Sequence, residues 1–285
     1  MPIHSIKIGN FKGIADTVTI PIKPITIFIG ENSSGKSTVL HALAALSQTV
    51  SLPNDTRALI LDDEFAYVHL GRFIDVIHSR KYTDTMTLGV NVGKHQIRRG
   101  KDASNDVEAV EVEIEGTYEF KSTKRTQDIS VSNGEVKAGD DIYKIRKSLA
   151  GISVENVAQK TITRGTAGSV LRDRVLPPPR KHGFDFVAYN LAQRAIVQAL
   201  KNTFYLGPFR QSPRRSYPTR GATPRQVGPE GEATIPLLAN EVVQSKSRPH
   251  IHQIAAWLAA MKLGSKLEIS RVAASDLFHK HPIAV

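Results

Sequence analysis

Ile25-Thr26-Ile27-Phe28-Ile29-Gly30-Glu31-Asn32-Ser33-Ser34-Gly35-Lys36-Ser37-Thr38 decides the reading of this chain. Gly30 through Ser37 satisfies the phosphate-loop pattern G-x-x-x-x-G-K-[ST] in full. Ile25–Ile29 is a nearly continuous apolar run, as expected of a strand buried on both faces. After the lysine, Val39, Leu40, Ala42, Leu43, Leu46 and Val50 recur with the spacing of one face of a helix. Strand, glycine-rich turn and helix in that order are the context in which the pattern marks a nucleotide site.

The chemistry explains the spacing. Gly30 and Gly35 carry no β-carbon, so the loop Glu31-Asn32-Ser33-Ser34 can curl with its backbone N–H groups pointing inward. Those groups and the positive end of the following helix would cradle a β-phosphate. Lys36 is expected to reach the β- and γ-phosphates as a point charge. The Ser37 hydroxyl is the expected Mg²⁺ ligand, and Thr38 a backbone donor to the α-phosphate. A polar loop that merely caps a helix would need neither the lysine nor both glycines.

Composition narrows the setting. The chain has 285 residues, 40% hydrophobic and 6% aromatic, enough for one large domain or two smaller ones. It has no cysteine, which removes disulfides and thiolate metal sites and suits a reducing cytoplasm. No apolar run is long enough to span a bilayer, and the N-terminus shows no signal-peptide pattern. The formal net charge is +11. Such a balance favours an anionic partner, with nucleic acid first. Between Lys201 and Pro229 stand Lys201, Arg210, Arg214, Arg215, Arg220 and Arg225 with no acidic residue. Lys160 to His182 adds a second basic stretch with Asp173 as its lone acid. Both are rich in Pro or Gly, so they read as loops suited to the phosphate backbone, with little base specificity.

Two alternating segments, around Ile6/Ile8 and Val18/Ile20/Ile22, read as strands joined by a turn at Asn10-Phe11-Lys12-Gly13. From Thr85 to about Val157 the pattern is a β-meander. Val110, Val112 and Ile114 alternate with Glu111, Glu113 and Glu115, and Asn133-Gly134 predicts a hairpin turn. Helices are predicted over Phe186–Leu200, Ala233–Gln244 and Ile251–Leu263, with short strands at Phe204–Leu206 and Leu267–Ile269. The fold expected is α/β: a phosphate-loop ATPase head with an inserted antiparallel β-subdomain. The expected division is 1–83 for the phosphate-loop lobe, 84–160 for the meander and 161–285 for basic loops and helices continuing the head.

The N-terminal strand, Asn10-Phe11-Lys12-Gly13, the second strand and the phosphate loop together resemble the SMC, RecF and OLD-like branch of ABC-type ATPases, bacterial AAA-family proteins. Tyr67-Val68-His69-Leu70-Gly71-Arg72-Phe73-Ile74-Asp75-Val76-Ile77-His78 resembles the same group. So does Tyr205-Leu206-Gly207-Pro208-Phe209-Arg210, with Val227-Gly228-Pro229-Glu230-Gly231-Glu232 downstream. The resemblance implies ATP and Mg²⁺ as cofactors, pairing with a second head (a homodimer or a partner ATPase or nuclease chain), and work on DNA in repair or phage defence. It also implies that Lys12 contacts the nucleotide; the bland reading is a surface lysine. In that group the signature motif, and the strand ending Asp-Glu that completes hydrolysis, lie C-terminal to the features matched. No signature motif is recognisable here, so the expectation is nucleotide binding with little hydrolysis by this chain alone.

Other readings stay open. Leu59-Ile60-Leu61-Asp62-Asp63-Glu64 fits an apolar strand ending in acid. In another phosphate-loop class, such as a kinase, Asp62 would support Mg²⁺ and Glu64 would be the base; otherwise the segment ends in a solvated acidic turn. No Asn-Lys-x-Asp guanine-reading motif is present, which argues against a GTPase. A nucleotide-gated interaction module without turnover is the non-enzymatic alternative. Arg210 would reach a phosphate of nucleotide or DNA, or pin its loop through an ion pair. His250/His252 and His279/His281 read as surface histidines rather than metal ligands.

Overall fold

The computed structural model describes residues 3–52, 57–100, 107–148, 151–165, 171, 185–214, 217, 226–245, 247–264 and 267–269. By contact the chain divides into two compact units, 1–204 and 205–285.

The first unit is built on one eight-stranded antiparallel sheet, ordered β2-β1-β3-β4-β5-β6-β7-β8. The strands are β1 (Ser5–Gly9), β2 (Val18–Pro21), β3 (Met86–Gly100), β4 (Val107–Ser122), β5 (Ile129–Ala138), β6 (Asp141–Ser148), β7 (Gly151–Asn156) and β8 (Thr161–Gly165). Because side chains alternate across a strand, register sorts them into two faces. One row runs Ile8, Leu88, Tyr118, Gly134, Ile145, Val154, and the next Ile6, Val90, Gly116, Val136, Tyr143, Asn156. These rows form the buried face.

The opposite face carries Lys7, Glu115, Lys137, Glu135, Lys144 and Glu155. Lys7 reaches Glu115 at 2.5 Å and Lys137 reaches Glu135 at 3.3 Å. Burial opposes ionisation of Glu115, but Lys7 and Lys137 outweigh it and hold its pKa below the usual value. The acidic alternation of β4 is therefore balanced by lysines from neighbouring strands, on a solvated sheet face.

Two helices cover the apolar face. Helix α1 (Lys36–Ser51) turns Val39, Ala42, Ala45, Leu46 and Val50 into the core and packs against β1. Helix α3 (Asp185–Lys201) lies on β3, β4 and β5 and against α1. Gly116 permits that approach, since a β-carbon there would sit 2.7 Å from Ile196 Cδ1. Tyr118 donates to Gln193 at 2.8 Å, and the Tyr143 and Tyr189 rings meet at 5.5 Å. Between α1 and β3, a short helix α2 (Phe73–Val76) begins at Arg72, whose backbone N–H donates to Asp75. The second unit contains α4 (Thr234–Gln244) and α5 (Pro249–Ala260). The Glu241 carboxylate accepts from the backbone N–H groups of His250 and Ile251, capping α5.

Several expectations are corrected. Ile25–Ile29 is not a strand: no described strand bonds to it, and Ile25, Ile27 and Ile29 are 82%, 74% and 90% exposed. Phe28 alone of this run packs against the core. The run has the composition of a buried strand, but a strand needs a hydrogen-bonded neighbour, and none of the described residues supplies one. The meander is not a separate inserted sheet, because β1 bonds directly to β3. Asn133-Gly134 is not a turn. It lies inside β5 beside a bulge at Glu119/Phe120, where Asn133 donates to Glu119, and the chain reverses instead after Ala138 through Gly139-Asp140. Phe204–Leu206 and Leu267–Ile269 are irregular rather than strands.

The long connection after α1 is held by two neighbouring side chains of the helix, chiefly Gln48. Gln48 is fully buried; its Nε2 donates to Ile60 O at 2.8 Å and to Val68 O at 3.3 Å, and its Oε1 accepts from Tyr67 N and Val68 N. Thr49 Oγ1 accepts from Ile60 N at 2.8 Å. Gln48→Leu keeps the bulk and strands these backbone groups. At roughly 1–3 kcal/mol for each buried group left unpaired, it is expected to cost about 3 kcal/mol or more. Urea denaturation of the wild type and the variant measures this.

Candidate functional site

The loop Gly30–Gly35 leads into α1 through two left-handed residues, Ser33 (φ 66) and Gly35 (φ 92). Gly35 is the residue before the helix, and only glycine takes that φ without strain. No side chain caps the helix start, and no acidic residue lies in its first turn. The N–H groups at that end and the positive end of the helix dipole thus face outward without an intramolecular anion. Lys36 curls back over the loop, its Nζ donating to Gly30 O at 2.8 Å and to Glu31 O. The ammonium is therefore held against the first two carbonyls of the loop. Asn32, Ser33, Ser34 and Ser37 are exposed, whereas Thr38 is buried beneath the loop, its backbone N–H donating to Gly35 O at 2.9 Å.

This arrangement fits a nucleotide triphosphate with Mg²⁺. Phosphate oxygens suit the uncapped N–H groups and Lys36. Mg²⁺ is commonly held by one or two protein oxygens plus phosphate and water, and Ser37 supplies one hydroxyl. No group of three or more His, Asp or Glu among the described residues could hold a metal without such help.

Lys12 enters from the turn between β1 and β2. Its backbone is fixed at both ends: its N–H donates to Val76 O at 2.6 Å, and its carbonyl accepts from His78 Nδ1 at 2.8 Å. Phe11 bridges to Ile77, and Asn10 bonds Ser79 and Thr85. Two of the stretches that carried the family resemblance, Asn10–Gly13 and Val76–His78, are thus one assembly. Lys12 has the left-handed φ of 49°, which costs a non-glycine residue about 1 kcal/mol. The side chain reaches α1, where Nζ lies 2.8 Å from His41 Nδ1. Burial lowers the Lys12 pKa. Burial and then the Lys12 charge lower that of His41, which leaves the imidazole neutral at pH 7 and able to accept from the ammonium.

Asp62 and Glu64 stand elsewhere. Their segment is anchored through Ile60 to Gln48 and Thr49, and Gln48 lies about 18 Å along α1 from Lys36 at the usual helical rise. Asp62 contacts His69 at 2.8 Å, Asp63 pairs with Arg57, and Glu64 is exposed. In the second unit, Arg210 donates to the carbonyls of Gly207 and Phe209. Gly207 N donates to Pro229 O at 2.7 Å and Gln211 N to Glu230 O at 3.0 Å, so the two glycine-proline stretches of the resemblance are paired. The Arg214 backbone N–H donates to Tyr217, and its side chain is exposed. Arg215, Arg220 and Arg225 lie outside the described residues. Sequence reasoning missed His41 and Gln48. The one available signal for His41 is its i,i+4 spacing from Ser37, which puts both on one face of α1.

The loop, the start of α1 and the Lys12 turn (a clamp tied by its backbone to Val76 and His78) together suit a nucleotide-binding ATPase domain. The chain belongs to the AAA ATPase domain family, whose sequence model matches residues 1–164. No curated protein and no solved structure matches it. The matched span takes in the loop, Lys12, His41 and the whole sheet except its last residue. No helix among the described residues is long and apolar enough to cross a membrane.

The His41 shift has a pH signature. Its folded pKa lies below the ordinary imidazole value near 6.5, so the unfolded chain takes up a proton first as pH falls. The stability linked to His41 is present above that value and is lost as pH falls through the folded pKa. Denaturant midpoints measured at pH 7.5, 6.5 and 5.5 should fall less steeply in His41→Gln than in the wild type.

Proposed function

We propose that this chain is the ATP-binding head of an SMC, RecF and OLD-like ATPase that acts on DNA, in repair or phage defence. In this reading it reaches full turnover only when a second head or further C-terminal elements complete the site. The observation that carries the nucleotide part is the uncapped start of α1 under a complete phosphate loop, with Lys36 held over it. Lys36 would exchange loop carbonyls for β- and γ-phosphate oxygens, Ser37 would bind Mg²⁺, and the loop N–H groups would fix the β-phosphate.

The incomplete-site part rests on two further observations. The acidic segment at Asp62 is anchored toward the far end of α1, which argues against Asp62 or Glu64 as a base beside the loop. The run Ile25, Ile27 and Ile29 beside the loop exposes apolar surface that a partner strand would cover. These same observations favour, as a second reading, a nucleotide-gated interaction module in which ATP changes partner contacts without turnover. The DNA part rests on the net charge of +11 and on the resemblance. The sheet face, with its balanced lysines and glutamates, is not the basic surface. The loops after Lys201 are the better bearers of phosphate contacts, Arg214 among them.

ATP affinity and turnover should be measured with and without double-stranded DNA, in the wild type and in Lys36→Ala. Binding that weakens at least about tenfold in the variant, with turnover near background, is expected from loss of a charge-assisted phosphate contact. Robust turnover by the isolated chain would contradict the incomplete site, and unchanged binding in Lys36→Ala would contradict the loop assignment. DNA binding should fall steeply with added salt.

A further inference from the structure

We propose that His41 is a positioning residue of the nucleotide site: it holds the Lys12 ammonium on the Ser37 face of α1, where it meets the terminal phosphate of a bound Mg²⁺-triphosphate. The inference rests on the phosphate-loop reading above and adds to it a residue, a geometry and a preference for triphosphate over diphosphate.

The ammonium of Lys12 is half-buried and lies 2.8 Å from His41 Nδ1. No carboxylate pairs with it among the described residues, and its pKa is lowered by burial with no acidic neighbour to offset it. Withdrawing a cation from water without a counter-ion is unfavourable, so such a group is built to meet an anion. The anion's place follows from the helix. Ser37 and His41 are one turn apart on the same face, with β-carbons about 5–6 Å from each other. An ammonium bonded to His41 therefore stands within a side chain's reach of the hydroxyl assigned to Mg²⁺, and a triphosphate bound there brings its terminal phosphate to that face.

The assembly with Val76–His78 engages Lys12 through its backbone, not its side chain. Its N–H and carbonyl are tied to Val76 and His78, and its left-handed φ is held although the unrestricted Gly13 is next to it. Strain retained at one residue, with its side chain aimed across a gap at a second element, is the pattern of a positioned functional group. The neutral His41 ring supplies an acceptor without neutralising the ammonium. An aspartate or glutamate in its place would form an ion pair and lower the attraction for phosphate.

The test compares affinities for a non-hydrolysable ATP analogue and for ADP, both with Mg²⁺, in the wild type, Lys12→Met, His41→Ala, His41→Gln and Lys36→Ala. Lys12→Met is expected to weaken the triphosphate about tenfold or more and His41→Ala about fivefold, with ADP changed less than about twofold, as for loss of a charge-assisted contact to the terminal phosphate alone. His41→Gln, which keeps an acceptor, should restore triphosphate affinity to within about threefold of the wild type. Equal weakening of ATP and ADP by His41→Ala would mean a structural role and overturn the proposal, as would no change in either. Lys36→Ala separates the two levels: loss of both nucleotides there with His41→Ala silent sinks only this inference. A wild type that binds neither nucleotide sinks the phosphate-loop reading with it.

Discussion

Everything at the candidate site depends on how firmly α1 is held. The phosphate loop is a short exposed turn, bonded within itself through Lys36 and joined to the helix at the left-handed Gly35. The helix is fixed by three different kinds of contact. Val39, Ala42, Ala45 and Leu46 pack on the sheet and α3. Ser47 donates to Leu200 O at 2.9 Å, tying α1 to the end of α3. Gln48 and Thr49 bind the backbone of the connection that follows. Buried apolar area supplies most of the energy, and the buried hydrogen bonds fix rotation and register. A helix so restrained presents its first turn as a rigid anion site rather than a fraying end.

The sheet has the complementary task. Its six-strand meander extends the N-terminal pair into one continuous surface, so that β1 sits between β2 and β3 with α1 across it. The turn leaving β1 is then held against the Val76–His78 segment by Lys12, Phe11 and Asn10. Two segments distant in sequence meet a third, α1, at the Lys12–His41 contact. The outward sheet face pairs its charges strand to strand, which leaves the excess positive charge of the chain to its other surfaces. In the proposed site Lys36 is bonded to the loop carbonyls and Lys12 lies against His41 of α1.

Much of this was legible in the sequence, for local reasons. The phosphate loop, α1 and α3 announce themselves because motif and apolar period lie within one element. The alternation of Val110, Val112 and Ile114 marks β4 in the same way. What the sequence withheld depends on partners far along the chain. Ile25–Ile29 has the composition of a buried strand, but whether it becomes one is decided by a neighbour that the described residues do not provide. Asn133-Gly134 has the chemistry of a turn, yet cross-strand bonds to Glu119 keep it inside β5. The Lys12–His41 contact joins residues 29 positions apart through a turn whose shape is set by a third segment. Only the spacing of Ser37 and His41 hinted at it.

The candidate site requires that a nucleotide triphosphate bind on the start of α1, between loop and clamp. Amide hydrogen exchange of the intact chain, with and without Mg²⁺-ATP, tests it at the backbone groups themselves. Slowed exchange is expected at Glu31–Thr38, where N–H groups would bond phosphate, with a smaller effect in the Lys12–Gly13 turn. Protection confined to other segments, or none at saturating nucleotide, would contradict it.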